Sequence, residues 1–399
     1  MRILVLQDAD WTKKGPHQQH HLMELLSKRG HEIHVVGFDQ LWTNQPGLIS
    51  ERGVIPECCR FYDGANIKFI RTRFIRLPFI DYLTFFTFVG FDIDQEIEEF
   101  KPDIIVSFTS IISSYWGAKK AEVNDIPYIY YWTDVIHTLL PVKALQPVAI
   151  QLEKKIISKS TLVLAINEVL REKVISLGAN EASTRVIPGG IDFKRFDPSI
   201  DARDIRDKYG IKSDDTVLLF MGWLYDFSGL KEVIQEFIRS SDQCSKLKLL
   251  IVGEGGYYSE IKELVSNGCM GDKIIFTGWR PYAEIPRFVA SSDICLLPAH
   301  CNDVMRDIVP IKLYEYLAMH KPVIATQLPG VMREFGDNSG IMYVDRPENV
   351  IPTALSLSCD EMNKYRQKAI EFIKNYDWDR LVIEFEKILH YGVNLKKEA

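Results

Sequence analysis

Short runs of consecutive apolar residues, each bounded by polar or glycine-rich segments, recur along the whole chain. Runs of this kind suit strands of a parallel sheet, which are buried on both faces. They predict strands at 3–6, 32–38, 103–108, 127–132 and 161–166, and again at 217–221, 247–252 and 273–277. Between them the apolar positions take helical spacing, as with Leu22, Leu25 and Leu26, predicting helices at 17–29, 148–159, 168–177 and 229–239. A helical tail is expected at 361–390, containing Trp378. Strands alternating with helices give an α/β fold with doubly wound sheets. The run Pro188-Gly189-Gly190 and the polar stretch to about residue 215 break this alternation and mark a domain boundary.

One stretch, 292–326, reads as strand, loop, proline-opened helix and strand. A loop entering such a helix is where α/β proteins bind anions. Asp307, Lys312 and Glu315 are charged within a segment otherwise suited to burial. Asp134 and His137 follow the 127–132 strand, at the end where parallel sheets hold ligands. Gly222 and the run Gly253-Glu254-Gly255-Gly256 end two further strands, where glycine permits tight turns and close backbone approach. No complete G-x-G-x-x-G follows the first strand, which counts against a dinucleotide there.

At 399 residues the chain has room for two to three domains. Its net charge of −6 argues against a general nucleic-acid binder. Seven cysteines without framework spacing point to a reducing compartment. The first residues are too short an apolar run for a signal peptide. The most apolar segment, 77–91, is interrupted by Asp81, Thr84 and Thr87, so no transmembrane helix is expected.

Three features admit two readings. Arg60, Lys68, Arg71, Arg73 and Arg76 precede the aromatics Phe79, Tyr82, Phe85, Phe86, Phe88 and Phe91. This is either a surface for an anionic membrane or an apolar core with a basic rim. Asp8-Ala9-Asp10 has a cation-holding D-x-D spacing, but Asp92-Ile93-Asp94 repeats it and the match is common by chance. His17, His20 and His21 have metal-ligand spacing, yet read better as a solvated or loop-facing cluster, so no metal site is assigned.

Six segments, in order and spanning nearly the whole chain, resemble the retaining glycosyltransferases of family 4, which have the GT-B fold. They are R-G-H-E-I-H-V-V at 29–36, V-I-P-G-G-I-D-F-K-R-F-D-P at 186–198, L-L-I-V-G-E-G at 249–255, I-I-F-T-G at 274–278, S-D-I-C-L-L-P at 292–298 and I-K-L-Y-E-Y-L-A-M-H-K-P-V-I-A-T at 311–326. The resemblance implies two Rossmann-like doubly wound domains facing each other across a cleft. They would be an acceptor domain at 1–190 and a donor-binding domain at 191–375, with a C-terminal helix at 376–399 packing back on the first.

The family signature is a pair of glutamates with seven residues between them. Glu315 matches the second, expected to bond the donor ribose, and Asp307 falls at the first, toward the sugar and phosphate. Members using nucleotide-diphosphate donors carry an arginine and a lysine where this chain has Trp223 and Ser228. Lys231, Lys312 or Arg306 would replace them, and Lys312 is favoured, one helical turn from Glu315. The catalytic set so implied is Asp134, His137, Asp307 and Lys312. The donor-binding set is Gly15, Gly222, Gly253, Gly255, Arg280, Pro298, Arg306, Ile311 and Glu315, with the acceptor near Gly15, Asp134 and His137.

The expected reaction is retaining sugar transfer from a nucleotide-sugar donor to a glycan or lipid-linked acceptor, without metal or cofactor, in polysaccharide or glycolipid synthesis. The expected location is cytoplasmic, at the inner face of a membrane. Alternatives on the same fold are a sugar-nucleotide epimerase or hydrolase and a non-catalytic sugar-binding protein.

Overall fold

The computed structural model describes residues 1–13, 17–39, 42, 45–140 and 142–398. The chain divides into two compact units, residues 1–189 with 378–399, and residues 190–377.

The first unit is built on strands β1 (Arg2–Leu6), β2 (Glu32–Gly37), β4 (Gly53–Cys58), β5 (Ile67–Arg71), β7 (Ile104–Phe108), β8 (Tyr128–Trp132), β9 (Leu162–Ala165) and β10 (Thr184–Val186). Their order across the sheet is β10-β9-β8-β7-β1-β2-β5-β4. The central strands are fully buried, the reason each appears in sequence as an unbroken apolar run. Only β4 runs antiparallel, pairing with β5 at the sheet edge. It was not legible in sequence, because it carries Pro56 and lies half in solvent; proline is tolerated at an edge. The short strands β3 (Ile49–Ser50) and β6 (Phe74–Ile75) pair separately beside this edge.

The expected single helical tail is two helices, Cys359–Ile373 and Trp378–Glu398, interrupted at 374–377. The second belongs to the first unit: Trp378 stacks on His21, with ring centroids 4.8 Å apart and 10° between planes. Further along, Glu386 accepts from Arg29 and bonds His31 at 2.7 Å.

The second unit contains β11 (Thr216–Met221), β12 (Leu247–Val252), β13 (Ile274–Gly278), β14 (Ile294–Leu297), β15 (Val323–Thr326) and β16 (Ile341–Val344). All neighbours are parallel, in the order β13-β12-β11-β14-β15-β16. The chain starts mid-sheet, winds to one edge, then returns and winds to the other. The reversal lies between β11 and β14, where an open parallel sheet leaves a crevice beyond its strand ends.

Candidate active site

The reversal point in the second unit is lined by glycine because the backbone there is crowded. Gly222 and Gly253, directly after β11 and β12, have φ of +133° and +142°. A Cβ on Gly253 would lie 2.0 Å from the Gly222 carbonyl oxygen, and one on Gly255 would lie 2.4 Å from that of Leu224. Only glycine fits either position. Pro298, after β14, packs its carbonyl against Gly229 in the same way.

Lys312 opens the helix Lys312–Ala318 and reaches back to β11, where its Nζ donates to the Met221 carbonyl at 2.9 Å. The ammonium also sits over the Phe220 ring, 4.9 Å from its centroid, and a Cβ on Gly222 would come within 3.1 Å of it. Burial pulls the Lys312 ammonium down to about 8, with Glu315 opposing the shift. Glu315, one turn on, is buried, and its carboxyl is pushed up to about 7 by that burial. The Tyr282 hydroxyl donates to its Oε1 at 3.0 Å, and Lys312 and Arg195 favour its ionised form. Arg195 itself lies over the Tyr282 ring. Neither Arg195 nor Tyr282 was singled out in the sequence; each comes from a distant segment, and only the fold brings them to Glu315.

The other expected donor-site residues make contacts of their own. Ile311 immediately precedes the Lys312–Ala318 helix, and its carbonyl accepts from Glu315 N. Asp307 packs its backbone against Gly330, where a Cβ would come within 2.7 Å. Arg306 is exposed and offers its carbonyl to Gly330 N. Arg280 turns onto the Tyr209 hydroxyl and the Thr277 carbonyl, both at 2.9 Å. Lys231, an alternative to Lys312, is held by Glu260 at 2.8 Å. Gly15 lies outside the described residues.

In the first unit, Asp134 follows β8 by two residues. It has no partner among the described residues, and burial alone pushes its carboxyl up to about 6. An uncompensated, desolvated carboxyl at a strand end is a mark of functional sites. His137 is anchored: its Nδ1 bonds Oε2 of Glu153, a fully buried carboxylate on the helix Gln146–Lys159. The other Glu153 oxygen accepts from Trp132 Nε1 at 3.1 Å. Glu153 went unnoticed in sequence because it reads as an ordinary helix-face charge.

The D-x-D carboxylates are engaged in structure. Asp8, after β1, accepts from the backbone N–H groups of Ile111, Ile112 and Ser113 and from Ser113 Oγ. It thereby fills, with an internal carboxylate, the anion site at the start of helix Ile112–Val123. Asp10 pairs with Arg71 at 2.8 Å. His17, His20 and His21 diverge: His17 N donates to His20 Nδ1, His20 Nε2 meets the Trp11 carbonyl, and His21 stacks on Trp378. Among the described residues no group of three or more His, Cys, Asp or Glu could hold a metal ion.

Two doubly wound units of this kind, the second with its charged pair at the sheet's reversal point, define the GT-B class. Solved structures agree on the fold. Sucrose-phosphate synthase from Thermosynechococcus elongatus superposes with a TM-score of 0.75 over 98% of each chain, at 15% identity. HepE of Anabaena, in complex with UDP-glucose, gives 0.71 over 98% of this chain and 100% of that one, at 17% identity. The model for glycosyltransferase family 4 matches residues 18–195, and that for glycosyl transferases group 1 matches 201–390. A similar curated protein is the alpha-monoglucosyldiacylglycerol synthase of Streptococcus pneumoniae, 25% identical over 68% of this chain and 64% of that protein. The chain spans about three fifths of the length of the curated relatives it matches. The protein belongs to glycosyltransferase family 4.

Proposed function

We propose that the protein transfers a sugar, with retention of anomeric configuration, from a nucleotide-diphosphate donor to a glycan or lipid-linked acceptor in cell-surface polysaccharide or glycolipid synthesis. The observation that carries this reading is the Lys312–Glu315 pair at the reversal point of the second sheet. Lys312 supplies a fixed positive charge for the donor phosphates as the glycosidic bond breaks. It takes the role of the arginine and lysine that the resemblance expects where this chain has Trp223 and Ser228. With Oε1 of Glu315 held by Tyr282, Oε2 is left to accept from a donor hydroxyl. Asp307 serves the sugar and phosphate end, while Asp134 and His137 meet the acceptor on the first unit. A UDP-sugar is named for the Anabaena structure and a diacylglycerol-linked product for the streptococcal synthase; both support these donor and acceptor classes. The location proposed is cytoplasmic, at the inner membrane face.

The test is a panel of nucleotide sugars incubated with and without lipid and glycan acceptors, the products resolved by anomeric proton couplings. A new glycoside with the donor's configuration supports the reading. Free sugar or an epimerised donor formed without acceptor overturns it, as does full transfer by Glu315→Ala.

A further inference from the structure

We propose that the strained turn at Phe79 and the helix following it form a docking surface for an anionic lipid bilayer, with the Phe79 side chain as the inserted wedge. Phe79 has φ 68° and ψ −33°, a backbone conformation that L side chains rarely adopt, and is 77% exposed. Folding alone favours neither property: the conformation is costly for an aromatic residue, and exposure leaves the ring in water. Strain of this kind persists only where surrounding structure enforces it, and it clusters at functional sites. Here Thr84 Oγ1 accepts from Ile75 N and donates to the Ile80 carbonyl, while Asp81 N donates to the Leu77 carbonyl.

The helix Ile80–Phe100 extends the surface. Ile80, Leu83, Thr87 and Phe91 recur at helical spacing and are exposed, whereas Phe85 and Val89 on the opposite face are buried. Beyond Phe91 the same stripe turns polar with Asp94 and Glu98, so the apolar portion is confined to the end nearest Phe79. Leu48, exposed just before the adjoining strand pair, accepts from Arg76 N through its carbonyl and continues the patch.

Charge selects the occupant. Lys68 and Arg71 are taken up by Glu96 and Asp10, so the membrane role expected of Arg71 is not assigned to it. Arg73 and Arg76 meet no carboxylate among the described residues: Arg73 lies over the Phe88 ring, and Arg76 bonds the oxygens of Gln45 and Gly47. Asp81, the acid of the first helical turn, is buried and bonded to Trp42. An apolar wedge flanked by unneutralised guanidinium groups fits acidic headgroups over acyl chains. No helix among the described residues is long and apolar enough to cross a membrane, so the contact is interfacial.

The proposal rests on the membrane-face location read above but not on the sugar-transfer chemistry, and its test uses no substrate, so either can fail without the other. The full chain is sedimented with vesicles of phosphatidylglycerol mixed with phosphatidylcholine, and with phosphatidylcholine alone. Binding is expected to the acidic vesicles and to weaken with salt. Phe79→Gly suits the positive φ, so the fold is kept while the wedge is lost. With Leu83→Ser it should weaken binding by roughly tenfold or more, consistent with the loss of two apolar contacts. Arg73→Gln with Arg76→Gln should remove the salt-sensitive part. Equal binding by the Phe79→Gly/Leu83→Ser protein, or none by the wild type, overturns the proposal. So does a wild type that forms lipid-free dimers which the double variant abolishes, for the face would then serve a second copy of this chain.

Discussion

Lys312 Nζ donates to the carbonyl oxygen of Met221 at 2.9 Å, across 91 positions of sequence. The bond ties the start of the Lys312–Ala318 helix to the last residue of β11, holding a partly buried ammonium at the sheet's reversal point. The residues directly after β11, Trp223 to Ser228, contribute no cation of their own.

Lys312→Met should therefore weaken binding of nucleoside diphosphates by about tenfold or more, the worth of a charge-assisted hydrogen bond. Isothermal titration with UDP, GDP and ADP measures it. A bound phosphate raises the pKa of a neighbouring ammonium, and that of Lys312 stands near 8 when the site is free. Wild-type affinity should accordingly fall as pH rises through about 8, and the variant should lose this dependence. Unchanged affinity in Lys312→Met would place the phosphates elsewhere.

Gly253→Ala should fail to fold or lose more than ~3 kcal/mol of stability, because its Cβ would lie 2.0 Å from the Gly222 carbonyl at a φ of +142°. Gly256→Ala, with nothing within 4 Å of its Cβ, is the control and should unfold like the wild type. Urea denaturation followed by circular dichroism separates them.

Most strands were legible because a parallel sheet buried on both faces leaves an unbroken apolar run, as at Ile104–Phe108. Ile67–Arg71, broken by Lys68 and Arg71, and the four-residue Ile341–Val344 were missed. The edge strand Gly53–Cys58 was not legible either, since Pro56 and alternating exposure look like loop. In the site, Lys312 and Glu315 could be singled out as charges in a stretch otherwise suited to burial, and Glu315 also by the family signature it resembles. Arg195, Tyr282 and Glu153 could not: their roles rest on tertiary contacts that leave no local pattern. The D-x-D at Asp8 shows the converse, a recognisable spacing whose first carboxylate serves as a helix cap.

That cap gives a further expectation. Asp8 is desolvated, yet compensated by three backbone N–H groups and a hydroxyl. Asp8→Ala leaves those donors unsatisfied and should cost ~2–4 kcal/mol in urea denaturation. Asp8→Asn, which keeps one acceptor oxygen, should cost less. An Asp8→Ala protein as stable as the wild type would mean that water or a solute anion replaces the carboxylate.

Glu315 poses the opposite case, a buried carboxyl with one hydroxyl donor. Its folded pKa of about 7 exceeds the ordinary 4.5 because burial disfavours the ionised form. The folded protein therefore binds the extra proton between those values. The stabilisation from that proton is fully present below about 4.5 and lost as pH rises through about 7. Glu315→Gln has no charge to bury at any pH. Its stability relative to the wild type should rise between pH 5 and pH 8, by ~2 kcal/mol, since each unit of pKa shift is worth about 1.4 kcal/mol. Sugar transfer should fall at least 100-fold in the same variant if Glu315 binds the donor as a carboxylate, a loss of about 2.7 kcal/mol of transition-state binding. Denaturant titrations at the two pH values, run beside transfer assays on one preparation, read both effects. A stability difference that does not change with pH would show that Glu315 is not held as a desolvated acid. A variant that gains stability at pH 8 yet keeps full transfer would show that its charge serves no donor contact.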